Sequence, residues 1–146
     1  MSGNRRKARE FAVQGIYQWL LNRQPVAEVV KQLRDDPDYA SIDEKMFLAL
    51  LNGAINESAQ LDQRLIKYVD RPIAELSPVE HAVLLLGAQE LLHHLEVPYR
   101  VVINEAVELT KTFGGTDGHK FVNGVMDKLA AEVRSVEVNK PRRTTP

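Results

Sequence analysis

The feature that most constrains the fold of this chain is a segment that is apolar on nearly every side of a predicted helix. Ser77, Pro78 and Glu80 form a helix start signal: a capping residue, a proline in the first turn, and a glutamate three residues after the cap. The helix is predicted to continue to about Leu92. Because apolar side chains occupy almost all of its faces, it is expected to lie at the centre of the protein, in contact with several other helices.

Helical periodicity also marks the segments on both sides of this central helix. The region before it is long enough for one bent helix or two helices in tandem, and we favour two, with a break near Ser58. Ser41 and Glu44 are predicted to form a capping box at the start of that region. The other predicted helices cover residues 4–21, a short segment after Pro25, residues 42–69 in two pieces, residues 99–112, and a last helix from about Asp117.

These segments predict an all-α protein, because no alternating apolar and polar pattern of useful length indicates a strand. With 146 residues and 44% apolar content, the chain is large enough to bury a core. Six or seven helices joined by short loops are typical of compact bundle packing. The polar segment around residues 70–78 divides them into two bundles, about 4–69 and 77–136. We expect one domain over residues 1–138 and a flexible basic tail over 139–146.

Positive charge is concentrated at the two ends of the chain. Seven of the 19 Lys and Arg residues lie in residues 5–9 and 140–143. The other 12 lie in positions 10–139, where all 20 Asp and Glu residues also lie. This asymmetry suggests a polyanionic partner held at one edge of an acidic body. The alternatives are a solvated charged start and a disordered basic tail, and for the tail we prefer disorder. The terminal cations are Arg5, Arg6, Lys7, Arg9, Lys140, Arg142 and Arg143.

Residue patterns that indicate catalysis or metal binding are scarce. The chain has no cysteine, and its four histidines lack the i, i+4 partner of a helical zinc site. The glycines of the segment FGGTDG fit neither a phosphate-binding loop nor a dinucleotide fingerprint. We therefore expect no enzymatic activity, no metal and no cofactor. No apolar stretch approaches the length of a membrane span, so a cytoplasmic protein is predicted.

A cation beside an aromatic ring marks the start of the last predicted helix. Lys120 and Phe121 are adjacent there, and proteins that bind single-stranded RNA combine such groups to hold the backbone and stack a base. The competing interpretation is that Phe121 is a core aromatic at the edge of the apolar stripe.

The strongest functional indication comes from four segments spread over residues 5–134. They read RRKAREFAVQGIYQW, SPVEHAVLLLGAQEL, VPYRVVINEAVELTKTFG and HKFVNGVMDKLA. In this order and at these distances they resemble the NusB family of bacterial transcription antitermination factors. The resemblance implies a non-catalytic protein of two helical bundles that binds the boxA element of nascent single-stranded RNA together with ribosomal protein S10 (NusE). It further implies a complex with NusA, NusG and RNA polymerase that acts on ribosomal RNA operons.

The resemblance also implies which residues bind RNA and the protein partner. It further implies that the basic start of the first helix and the start of the last helix, with Lys120 and Phe121, lie on one surface. Tyr17 matches a position near the shared protein and RNA contact region, while Glu75 and Glu80 match acidic positions that face NusE. A capping role is the alternative for Glu80, and both roles are compatible. The residues that match the RNA surface of the family are Arg5, Arg6, Lys7, Arg9, Tyr17, Asp117, His119, Lys120, Phe121 and Asn123.

Two positions depart from the family pattern. His81 stands where arginine or lysine is expected, and Gln89 stands where tyrosine is frequent. These departures concern only details of the partner contact. Some members of the family form a homodimer that would cover the RNA surface, and the sequence leaves the oligomeric state open.

Overall fold

The computed structural model describes residues 3–114 and 117–140, and the fold is all-α. Seven helices of eight residues or more and one four-residue helix are present in these ranges, which confirms the fold class predicted from the sequence. Short 3₁₀ turns occupy Pro37–Ser41 and Ile73–Glu75. The helices are α1 (Arg5–Asn22), α2 (Val26–Arg34), α3 (Glu44–Asn56), α4 (Ser58–Leu65), α5 (Pro78–His93), α6 (Tyr99–Phe113), α7 (Gly118–Val133) and α8 (Ser135–Val138).

Helix α5 is the centre of the molecule, as its apolar sequence predicted. It packs against α1, α3, α4, α6 and α7, and every residue from Ala82 to Leu91 is buried. The start of α5 also follows the sequence signal, because the Ser77 Oγ accepts a hydrogen bond of 3.1 Å from the backbone N–H of Glu80.

The region between α2 and α5 confirms the predicted break and corrects the predicted cap. Helix α3 ends at Asn56 and α4 begins at Ser58. The cap of α3 is Asp43, whose Oδ1 accepts from the N–H of Met46 at 3.1 Å. Ser41 instead closes the preceding 3₁₀ turn, where its hydroxyl donates to the carbonyl of Asp38 at 2.8 Å. The capping box of Ser41 and Glu44 was therefore wrong, because Ser41 is used by the turn.

A buried arginine joins the last helices to the centre. The Arg134 guanidinium donates to four backbone carbonyls around the end of α5, those of Glu90, Leu91, His94 and Val97, at 2.7–3.2 Å. The last carbonyls of a helix have no partner within it, so a cation at this end is favourable. Arg134 thereby fixes α7 and α8 against α5.

One hydrophobic core runs through all the long helices. The bundle boundaries at 4–69 and 77–136 remain a prediction. Of the predicted tail, residues 141–146 lie outside the described residues. Within residues 3–114 and 117–140, no helix combines the length and the apolar character that crossing a membrane requires.

Candidate nucleic-acid interface

The start of α1 is held in place by backbone and side-chain contacts. The Asn4 side chain caps the helix by accepting from the N–H of Lys7 at 2.8 Å. The Asn4 backbone also bonds to Ser41 and Asp43, at 2.9 and 3.2 Å. Arg5 and Arg6 are exposed on this anchored turn. The predicted cationic edge therefore has a fixed position.

Two of the cations on this edge are paired with carboxylates. The Arg6 Nε lies 3.1 Å from the Glu105 Oε2 on α6, and the Arg6 side chain is 65% exposed. The Lys7 Nζ lies 3.2 Å from Glu10 and 3.8 Å from Asp38. The hydrogen bond to Glu10 raises the pKa of Lys7 above its ordinary value. An RNA phosphate at these positions would compete with protein carboxylates.

Arg9 does not lie on this exposed edge. Its guanidinium is buried and donates two hydrogen bonds to Glu90 on α5, from Nε at 2.7 Å and from Nη2 at 2.9 Å. Burial opposes the charge, but Glu90 overcomes that effect and leaves the pKa of Arg9 above its ordinary value. The structure thus contradicts the expected phosphate contact of Arg9. The physical reason is that α1 packs on α3 at one side and on α5 at another, so its buried surface is wider than a single stripe.

The start of α7 carries the second set of predicted RNA residues. Asp117, Lys120 and Asn123 are exposed, whereas His119 and Phe121 are partly buried. The Nδ1 of His119 is buried without a hydrogen-bond partner among the described residues. Lys120 and Asn123 therefore have the exposure that their predicted role requires.

Phe121 is neither a fully exposed platform nor a sealed core residue. Its ring packs against the edge of the hydrophobic core. The guanidinium carbon of Arg71, in the connection between α4 and α5, lies 4.7 Å from the centre of that ring. One portion of the ring packs inward and another faces a surface cation, so the core interpretation is correct in part, and the stacking of an RNA base on Phe121 stays a prediction.

Asn123 lies on a different side of α7. The direction of its side chain differs from that of Phe121 by roughly 200° around the helix. Asn123 borders a groove of about 300 Å³ whose other walls include Arg100 and Asn104 of α6. Arg100 and Asn104 were not among the site residues expected from the sequence, although their i, i+4 spacing places them on one face of α6.

The expected convergence of the two helix starts is met only in part. Arg6 contacts α6 through Glu105, and Asn123 reaches the same helix through the groove beside Asn104. Phe121 instead faces the connection between α4 and α5. Helix α6 therefore links Arg6 with Asn123, while the ring of Phe121 points elsewhere.

The predicted partner residues occupy neighbouring positions near the start of α5. Tyr17 is partly buried and shares a groove of about 360 Å³ with Val79 and Phe113. Glu75 is exposed in the 3₁₀ turn before α5. The Glu80 Oε2 lies 3.0 Å from the point where a Cβ on Gly118 would stand, so this carboxylate sits beside the start of α7. That position suits a negative charge.

His81 has a structural partner that the sequence did not reveal. Its Nε2 lies 2.8 Å from the Asp62 Oδ1, and this contact joins α5 to α4. Among residues 3–114 and 117–140, no group of three or more His, Asp or Glu side chains is arranged to hold a metal ion.

Comparison with known proteins identifies the family of this arrangement. A sequence model of the NusB family matches residues 6–131. The transcription antitermination protein NusB of Bordetella pertussis is 58% identical over 144 residues, covering 95% of this chain and 94% of that protein. NusB of T. maritima has the same fold, with a TM-score of 0.80 and 27% identity over 90% of this chain and 94% of its own.

A second solved structure agrees in fold. It contains the antitermination factors NusB and NusE in complex with double-stranded RNA, and matches with a TM-score of 0.75 and 24% identity over 87% of this chain and 96% of that one. At this identity, the likeness concerns the fold alone. The names of these relatives describe antitermination factors, in agreement with the expectation that the chain is not an enzyme. Because both the family model and a relative of 58% identity extend over most of its length, this chain belongs to the NusB family.

Proposed function

We propose that this protein is an RNA-binding transcription antitermination factor that binds boxA RNA together with ribosomal protein S10 (NusE). In this role it acts in the cytoplasm, without catalysis, alongside NusA, NusG and RNA polymerase, and supports processive transcription of ribosomal RNA operons. Family membership supports the antitermination role, and one solved relative was crystallised with NusE and RNA.

The observation that carries the proposal is the pair of helix starts with exposed cations on an acidic body. Arg5, Arg6 and Lys7 would neutralise phosphates, and so would Lys120 on α7. Phe121 would stack against a base, and Asn123 offers hydrogen bonds in the groove beside α6. The buried Arg9 has a different role, because its pair with Glu90 positions α1 against α5.

The protein partner would bind at the surface around the start of α5. Glu75 and Glu80 offer carboxylates to a basic protein, and Tyr17 lines the apolar groove beside Val79. Since the Glu80 carboxylate lies beside the start of α7, this partner surface adjoins one end of the RNA surface. We therefore expect the two ligands to bind cooperatively, through direct contact between them.

Binding of labelled boxA RNA, measured by gel shift with and without NusE, tests the proposal. We expect a preference for boxA over a scrambled sequence and a tighter complex when NusE is present. If neither the preference nor the gain is observed, the chain is a purely structural helical domain whose basic start serves only solubility.

The variant Phe121→Ala tests the stacking contact. Loss of one stacked base costs roughly 1–3 kcal/mol of RNA binding free energy, which fluorescence anisotropy would measure. The control is Phe121→Leu, which keeps apolar volume against the core but removes the aromatic face, and should lose a similar amount. A lowered melting temperature with unchanged RNA affinity would assign the ring to the core only.

A further inference from the structure

A surface groove opens on α7 beside Phe121. We call it the Gly124 groove. It has a volume of about 200 Å³ and lies between α7 and the segment that follows α4. Its lining residues are Tyr68, Asp70, Lys120, Phe121, Gly124, Val125 and Lys128.

The chemistry of the Gly124 groove suits a nucleotide. Phe121 supplies an aromatic ring and Val125 a buried apolar contact. Lys120 and Lys128 are exposed, lie two helical turns apart, and border the same groove. An aromatic ring flanked by cations is the arrangement by which single-stranded RNA is held, with the base stacked and the phosphates neutralised.

The glycine in this groove has no packing reason. A Cβ built on Gly124 would meet no heavy atom within 4 Å. Glycine in the middle of a helix nevertheless costs roughly 0.5–1 kcal/mol relative to alanine. Sequences tolerate such a local cost mainly where a function requires it. What the absent side chain preserves here is the open space beside Phe121.

Arg71 covers the aromatic ring next to this space. Its guanidinium carbon lies 4.7 Å from the centre of the Phe121 ring, and its Nε donates to the Asp70 carboxylate at 2.6 Å. That bond holds the pKa of Asp70 below its ordinary value. The Arg71 side chain is 39% exposed and its pair with Asp70 lies at the surface, where an ion pair contributes little and can be exchanged for a contact with a phosphate. A base cannot stack on the covered face of the ring until the guanidinium moves.

We propose that the Gly124 groove is the subsite for one unpaired base of the bound RNA, and that Arg71 leaves the ring of Phe121 when the base enters and then contacts a phosphate. This inference rests on the proposed function, because it requires that the protein binds single-stranded RNA. It adds Gly124, Arg71 and Lys128 to the RNA surface.

The substitution Gly124→Leu tests the subsite by filling it. RNA affinity should fall about tenfold or more, since a stacked base contributes roughly 1–3 kcal/mol. The melting temperature should stay equal or rise, because leucine is a better helix former than glycine and the added Cβ clashes with nothing. Gly124→Ala should have a smaller effect. Ala27→Leu, at an exposed position of α2, controls for the added apolar surface and should bind RNA normally.

An abasic scan identifies the base that enters the groove. Each nucleotide of single-stranded boxA RNA is replaced in turn by an abasic one, and anisotropy is measured with the wild-type protein and with Gly124→Leu. At one position, the abasic nucleotide should weaken binding to the wild-type protein but leave the already weaker binding to Gly124→Leu unchanged. Such non-additivity indicates that the missing base and the groove interact directly. Additive losses at every position would overturn the subsite.

The salt dependence tests the role of Arg71. In Arg71→Ala the logarithmic slope of affinity against salt should become less steep by about one, because one phosphate contact is lost. An unchanged slope would overturn this part. A wild-type protein that binds no RNA defeats the proposed function, whereas tight binding by both the wild type and Gly124→Leu defeats only the subsite.

Discussion

The starts of α1 and α7 both carry cations, yet the two sites differ in how much of that charge is available. At α1, Arg6 pairs with Glu105, and Lys7 pairs with Glu10 and Asp38. At α7, the ion pairs of the described residues include neither Lys120 nor Lys128. A phosphate at α1 must therefore exchange with protein carboxylates, while a phosphate at α7 meets uncompensated charge. Equal numbers of cations do not imply equal contributions to RNA affinity.

The same contrast exists within α1 itself. Arg6 and Arg9 are one turn apart, but the Arg6 side chain is 65% exposed and the Arg9 side chain is 4% exposed. The first pair adds little to stability because water solvates both partners. The second pair is desolvated, so removal of either partner leaves a buried charge. One basic segment thus contains both surface ligands and a structural ion pair.

Arg9→Ala should lower the stability of the fold strongly. Breaking a buried ion pair costs roughly 3–5 kcal/mol of the free energy of unfolding, and urea denaturation would measure it. Arg6→Ala is the matched control, and its loss should stay below about 1 kcal/mol. If Arg9→Ala kept full stability and lost RNA affinity instead, the assignment of Arg9 to the interior would be wrong.

Lys120→Gln and Arg6→Gln should weaken RNA binding by different amounts. Lys120→Gln should weaken RNA binding uniformly across sequences and reduce the salt slope by about one. Arg6→Gln should reduce RNA affinity less. In the wild type, RNA must break the pair between Arg6 and Glu105 before a phosphate can bind Arg6, so the net gain from that phosphate contact is small. Lys31→Gln, on α2, is the control and should leave affinity unchanged. Equal losses at Arg6 and Lys120 would contradict the distinction.

The smallest expected effect concerns the attachment of α7 to α4. The Glu132 carboxylate accepts from Lys67 at 2.5 Å and from Arg64 at 3.0 Å, and also from the Tyr68 hydroxyl. The bonds from Lys67 and Tyr68 hold the pKa of Glu132 below its ordinary value of 4.5. The ionised Glu132 carboxylate therefore stabilises the folded protein at pH values above 4.5. This stabilisation is lost as the pH falls through the depressed pKa and the carboxylate becomes protonated.

The variant Glu132→Gln checks this contribution. The urea midpoint of the wild type should fall more steeply with acidification below about pH 4.5 than that of the variant. The two midpoints should converge at the acid end. Parallel curves over the whole range would show that the pairs of Glu132 with α4 do not stabilise the fold.

The helices and their centre were predictable because their signals are local. The cap at Ser77, the proline after it and the apolar run to Leu92 identify α5 and its central place. The break near Ser58 was also correct. The cap of α3 was not, since Ser41 and Asp43 are both good capping residues and the turn before them decides which one is used.

The family motifs name candidate residues of the site but not their arrangement, and the RNA contacts themselves stay a prediction. The exposed cations at Arg5, Arg6 and Lys120 agree with the family motifs. The groove around Gly124 could not be foreseen, because Arg71 and Phe121 are 50 positions apart and their contact depends on the packing of α7 beside the end of α4. The i, i+4 spacing of Arg100 and Asn104 marks one face of α6, but only the fold places them opposite Asn123.

By itself, the sequence determined the family, the all-α class and most helix boundaries, because these depend on motifs, caps and periodicity within short segments. The tertiary structure decided which charges reach solvent. Whether an arginine is free to bind a phosphate or forms a buried ion pair depends on residues far away in the sequence. Arg9 and its partner Glu90 are separated by 81 positions. Burial and charge pairing are properties of packed helices, so no local pattern specifies them.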